Sequence, residues 1–75
     1  MVFETLQPIL AEMFSVDEEE ITTETDFYSD LYGDSLDMLE LWYILEEEFD
    51  LNDIDKAKMT DFRTVGQVVD YISKH

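Results

Sequence analysis

A hydroxyl flanked by two carboxylates, at a point where a helix must begin, is the one concentrated piece of chemistry in this chain. It lies in Asp30-Leu31-Tyr32-Gly33-Asp34-Ser35-Leu36-Asp37. Gly33 interrupts whatever precedes it. Asp34 is a good N-cap, because its carboxylate accepts from free first-turn amides. Asp37, three residues on, makes the pair an acidic variant of the capping box. This spacing puts Ser35 at the first helical position, with its hydroxyl near the exposed helix start. A serine there usually only assists the cap. A helix start also offers free amides and the positive end of the dipole, which favour an anionic group, and Asp34 and Asp37 would offset part of that attraction.

The element that must position Ser35 is a helix over 35–49. It contains no Gly or Pro, and Leu, Glu and Met dominate it, all strong helix formers. Met38, Leu41, Trp42, Leu45 and Phe49 fall on one side, at the spacing of a core face. The opposite side carries Leu36, Glu40, Tyr43 and Glu47, with Asp37, Ile44 and Glu48 beside it. Apolar groups ringed by charge suggest a docking surface. They are equally what a small protein is unable to hide.

Catalysis by the chain itself is not expected. There is no cysteine, the one histidine is the terminal His75, and Ser35 has no base nearby. A triad is therefore not available. The many carboxylates sit on a solvated surface with nothing to tune them apart.

Seventy-five residues make one domain with a marginal core. Twenty acidic and 4 basic residues give a net charge of −16. Self-repulsion on that scale opposes compaction, so stability should fall at low ionic strength and recover with salt or divalent cations. The charge repels nucleic acid and anionic membranes and accelerates encounter with basic protein surfaces. Hydrophobic content of 45% and aromatic content of 13% are too high for a typical disordered chain. No apolar run approaches the roughly 20 residues that span a bilayer. The start, Met1-Val2-Phe3-Glu4, lacks the basic region of a signal peptide. A cytoplasmic monomer is expected. With no cysteine, disulfides and thiolate metal sites are excluded, and any thiol chemistry must arrive on an attached group.

In chain order, residues 2–14 read as an amphipathic helix with Phe3, Leu6, Leu10, Met13 and Phe14 as its stripe. Pro8 is harmless if Thr5 caps that helix. If the helix starts earlier, Pro8 removes a bond and bends it, and a helix with an early bend is expected. Residues 15–33 form a long connection, a length often associated with function. Val16 and Ile21 anchor it, Glu18-Glu19-Glu20 makes a helical turn, and Phe27 and Leu31 plug the core. The acidic run 50–55 lacks the Gly and terminal Glu of a calcium loop, so no dedicated metal site is expected. A short helix over 56–60 or 56–61 would turn Ile54, Met59 and Phe62 inward. Thr64-Val65-Gly66-Gln67 is a capping box that opens a last helix. Val65, Val68, Val69 and Ile72 form its buried stripe.

Asp34-Ser35-Leu36-Asp37, then Glu40-Leu41, then Leu45-Glu46-Glu47-Glu48-Phe49 resembles the core of the acyl carrier proteins. Val16, Glu19-Glu20-Ile21-Thr22, Phe27, Asp30-Leu31, Thr64-Val65 and Asp70-Tyr71-Ile72 extend the match over nearly the whole chain. The resemblance implies an all-α fold, a small four-helix bundle with a short third helix lying across the others and a long loop between the first two. It implies that Ser35 carries 4′-phosphopantetheine, moved from coenzyme A by a phosphopantetheinyl transferase whose magnesium ion is its own. The terminal thiol would hold acyl groups as thioesters for the enzymes of fatty acid biosynthesis. A dedicated carrier for polyketide, peptidyl or other acyl products is the alternative. An acidic interaction module without a prosthetic group is the reading from another class.

By the same resemblance, partner enzymes with basic docking patches would read the helix from Leu36 onward. Leu36, Tyr43 and Ile44 would give apolar contact, while Asp34, Asp37, Glu40, Glu47 and Glu48 steer. Met38, Leu41, Trp42, Leu45, Val65 and Ile72 are candidates to line a cavity that sequesters the acyl chain, or are ordinary core. Trp42 is bulkier than the small aliphatic residue expected there. Two further departures are Tyr32, where the family commonly has glycine in a Leu-Gly-x-Asp-Ser pattern, and the missing proline after the second helix.

Overall fold

The computed structural model describes residues 2–51 and 61–74. Among the described residues the elements are three α-helices, α1 (Val2–Phe14), α2 (Ser35–Glu48) and α3 (Val65–Lys74), with a 3-10 turn at Glu18–Glu20 between the first two. Among the described residues there is no strand, only an isolated antiparallel bridge between Asp26 and Thr64. The expected short helix over 56–60 or 56–61 lies outside the described residues, as do Ile54, Met59 and His75.

Local chemistry accounts for where each helix begins and ends. α1 starts at Val2, so Thr5 lies within it and does not cap it, and Pro8 is inside the helix. Pro8 and Glu4 are both exposed, so the bond that Pro8 is unable to give the Glu4 carbonyl is missing on the outer side of the helix. α1 ends with Val16 N donating to the Ala11 carbonyl at 3.0 Å across a left-handed Ser15 (φ 57°). α2 ends the same way, with Leu51 N donating to the Glu46 carbonyl at 3.0 Å across Asp50 (φ 51°). These six-to-one bonds are Schellman closures, made here without glycine. At the start of α3, Gln67 N donates to Thr64 Oγ1 at 3.3 Å and Gln67 Oε1 accepts from Thr64 N at 3.1 Å. This is the reciprocal box read from the sequence.

One buried cluster joins all three helices and the long connection. Leu6 and Leu10 come from α1, Met38, Leu41, Trp42 and Leu45 from α2, and Val65, Val68 and Ile72 from α3. Ile21, Phe27 and Leu31 come from the connection, where the expected anchors and plugs fall. Phe49, Val16, Phe62 and Val69 are half-buried and pack against it. Burying one such side chain contributes about 1.5–3 kcal/mol, so the connection is part of the fold and no mere tether.

Backbone bonds fasten that connection to the start of α3. Phe27 N donates to the Arg63 carbonyl at 2.8 Å, Val65 N to the Thr25 carbonyl at 3.0 Å, and Gly66 N to the Thr23 carbonyl at 2.8 Å. A Cβ on Gly66 would stand 2.9 Å from the Thr23 oxygen, which explains glycine inside a helix. Gln7 holds the other end, its Nε2 donating to the carbonyls of Glu18 and Ile21 at 2.6 and 3.0 Å. The loop thus arrives at Ser35 from a fixed frame.

Candidate functional site

The start of α2 is built by its two aspartates. Asp37 N donates to Asp34 Oδ1 and Asp34 N donates to Asp37 Oδ2, both at 3.0 Å. Met38 N, the first amide with a partner four residues back, bonds the Asp34 carbonyl at 3.1 Å. The box thus occupies the Asp37 amide and leaves the amides of Ser35 and Leu36 at the helix mouth, where an α-helix has no internal acceptors for them. Ser35 is the first helical residue and is exposed.

The turn before it is unusual. Gly33 N donates to the Phe27 carbonyl at 2.8 Å, and a Cβ at Gly33 would lie 3.1 Å from that oxygen and 3.0 Å from Phe14 Cε1. Gly33 therefore serves close approach, while the left-handed backbone falls to Tyr32 (φ 58°). Tyr32 is 85% exposed. Upstream, Asp26 closes the turn that carries Leu31. Its Oδ1 accepts from the amides of Tyr28 and Ser29 at 2.7 and 2.9 Å, and Arg63 reaches its Oδ2 at 3.4 Å. The Ser29 amide, foremost, holds the Asp26 carboxyl below its ordinary range, with the Tyr28 amide and Arg63 adding and desolvation opposing.

The outer face of α2 stands as the spacing suggested. Leu36 is 73% exposed and Tyr43 64%. Asp34, Glu40, Ile44, Glu47 and Glu48 are exposed around them, and Asp37 is half-buried in its box. Leu39 is also exposed, and sequence reasoning missed it. It continues Leu36 and Tyr43 at i, i+3 and i+7, a spacing that could have found it. Also missed were Ile9, Glu12 and Met13 of α1, which with Asp37, Glu40 and Ile44 line a groove of about 420 Å³ between the helices. Their partnership is tertiary and has no local signal.

The six candidate cavity residues lie together. Met38, Leu41, Trp42, Leu45, Val65 and Ile72 all belong to the closed core. Trp42 packs on Phe62 and Tyr71, with ring centroids 5.7 and 5.5 Å away. Phe62 and Tyr71 in turn line a second groove, of about 320 Å³, with Gln67, Asp70 and Lys74.

What decides the reading of this site is a family match. Residues 4–72 match the family described as phosphopantetheine attachment site. The chain belongs to that family. Its prosthetic group is 4′-phosphopantetheine and its function class is covalent carriage. An exposed hydroxyl at a helix mouth with outward amides fits a phosphodiester. Similar proteins agree. The acyl carrier protein of Clostridium perfringens (strain 13 / Type A) is 46% identical over 74 residues, 99% of this chain and 96% of its own. The acyl carrier protein of Borreliella burgdorferi (strain ZS7) is 44% identical over 73 residues, 97% of this chain and 90% of its own. That of Trieres chinensis is 47% identical over 70 residues, 93% of this chain and 86% of its own. Among the described residues no helix is long and apolar enough to cross a membrane, and no cluster of candidate metal ligands occurs.

Proposed function

We propose that this chain is an acyl carrier, with 4′-phosphopantetheine attached through Ser35 Oγ and acyl groups delivered between the enzymes of fatty acid biosynthesis. The single observation that carries the assignment of Ser35 is its exposure at the first position of a capped helix, within residues that match the attachment-site family. When bound, the prosthetic group supplies the thiol that this cysteine-free chain lacks.

The chain's own residues perform a limited set of tasks. Ser35 Oγ would form the ester bond to phosphorus as the pyrophosphate P–O bond of coenzyme A breaks, with adenosine 3′,5′-bisphosphate leaving and the hydroxyl proton passing to a base of the transferase. The chain's one histidine is residue 75, so a transferase must supply both the base and the magnesium ion. Asp34 and Asp37 hold the helix mouth rigid, and with Glu40, Glu47 and Glu48 present negative charge to basic docking patches. Leu36, Tyr43 and Ile44 give apolar contact. Individual exposed ion pairs are worth ~0–1 kcal/mol, which suits complexes that must dissociate after each delivery. Met38, Leu41, Trp42, Leu45, Val65 and Ile72 form the interior into which an acyl chain withdraws. The whole chain reads as one carrier domain over residues 1–75, a monomeric four-helix bundle acting in the cytoplasm without catalysing a reaction itself.

Incubation with coenzyme A and a broad-specificity phosphopantetheinyl transferase tests this by intact mass. The wild type gains one phosphopantetheine and Ser35→Ala gains none. An unchanged wild-type mass favours the acidic interaction module instead.

A further inference from the structure

Trp42 is the only tryptophan in the chain and is wholly buried. Its Nε1 makes no hydrogen bond among the described residues. An indole N–H is purely a donor, and leaving a buried donor unmet costs about 1–3 kcal/mol. Phenylalanine would fill much of the same space without that penalty. Two aromatic rings pack on Trp42. Phe62 lies tilted at 34° against the indole, and Tyr71 meets it edge-on at 86°. Both rings are half-buried and line the groove beside α3.

The donor stands in register with Ser35. Ser35, Met38 and Trp42 follow one another at i, i+3 and i+7 on α2, which is one side of a helix. Seven residues at 1.5 Å each put Trp42 about 10 Å along the axis from Ser35. The phosphopantetheine arm is itself longer than this distance, so an arm folded back along α2 past Met38 is what would bring the acyl chain to the indole.

We propose that Trp42 Nε1 is the polar contact of the acyl-sequestering interior, donating to an oxygen on the acyl chain and so favouring oxygen-bearing cargo over saturated cargo. This rests on the carrier reading above. A saturated chain would displace nothing and leave the donor unmet. A chain with a keto or hydroxyl oxygen at the right depth satisfies it, which turns an unfavourable feature of the free protein into selectivity for one class of cargo.

The single tryptophan makes the test direct, because nitrogen-labelled protein has one indole N–H resonance. Holo, octanoyl and β-hydroxyoctanoyl forms are prepared and each is verified by intact mass. The expected result is a downfield shift of the indole proton and slower solvent exchange in the β-hydroxyoctanoyl form alone. In the wild type, hydroxylamine then cleaves the β-hydroxyoctanoyl thioester severalfold more slowly than the octanoyl one, and Trp42→Phe brings that ratio to one. Equal shifts in both acyl forms, or a shift already complete in the holo form, would overturn the selectivity while leaving the carrier reading intact. Failure of the protein to gain phosphopantetheine at all would overturn both.

Discussion

Tyr32 and Gly33 divide between them two demands that a single glycine often meets. The left-handed backbone belongs to Tyr32, with φ 58°, while the space too small for a side chain belongs to Gly33, pressed against Phe14 and the Phe27 carbonyl. A left-handed L-residue costs roughly 1–2 kcal/mol, and glycine's extra unfolded-state freedom costs roughly 0.5–1 kcal/mol. Tyr32→Gly is therefore expected to stabilise the protein by about 0.5–1 kcal/mol in urea unfolding. Gly33→Ala should destabilise it. Equal or inverted effects would mean that the turn is not held as described.

Gly66 presents the opposite case, a helical glycine that must stay. Alanine there would gain about 1 kcal/mol of helix propensity. Its Cβ, however, would meet the Thr23 oxygen at 2.9 Å and push away the loop bonded there. Overpacking of this kind costs about 1–3 kcal/mol. A net loss of up to about 2 kcal/mol is expected for Gly66→Ala, read as a lower urea midpoint with an unchanged slope. A higher midpoint would count against the close approach.

Asp26 gives the fold an acid sensitivity with a definite sign. Its carboxyl is held below its ordinary value of 3.8, chiefly by the Ser29 amide. The folded state thus favours the ionised form. That contribution is complete above the ordinary value and is lost as pH falls through the lowered one. Asp26→Asn should melt below the wild type at pH 7, and the gap should close in acid below the ordinary carboxylate range. A gap that stays constant with pH would exclude this origin.

Much of this arrangement is legible in the sequence because its determinants are local. Asp34 and Asp37 declare the helix start by spacing, and the structure returns their reciprocal bonds at 3.0 Å. The stripes through Met38, Leu41, Trp42 and Leu45, and through Val65, Val68 and Ile72, are buried as their periods suggest. What escaped reading is tertiary or runs against residue preference. Left-handed helix ends are expected at glycine, yet Ser15 and Asp50 hold them here. Ile9 and Met13 face α2 across a groove that no local pattern announces.

The outer face of α2 predicts a division of labour between its residues. Leu36→Ala removes an exposed apolar contact beside Ser35 and should cost about 1–2 kcal/mol in kcat/KM for arm transfer, with the fold unchanged. Glu47→Gln should alter the rate modestly at low salt and hardly at all at high salt, since exposed charges mainly steer encounter. Steady-state kinetics with the transferase at two ionic strengths separates these effects. An inert Leu36→Ala would remove this face from the docking surface.

The central claim, that Ser35 is the tether, is tested most directly on protein purified from its native cells. Intact mass followed by fragmentation should show phosphopantetheine, with or without an acyl group, localised to Ser35. A bare polypeptide mass in cells that are actively making acyl chains, or the added mass on any other residue, would contradict it.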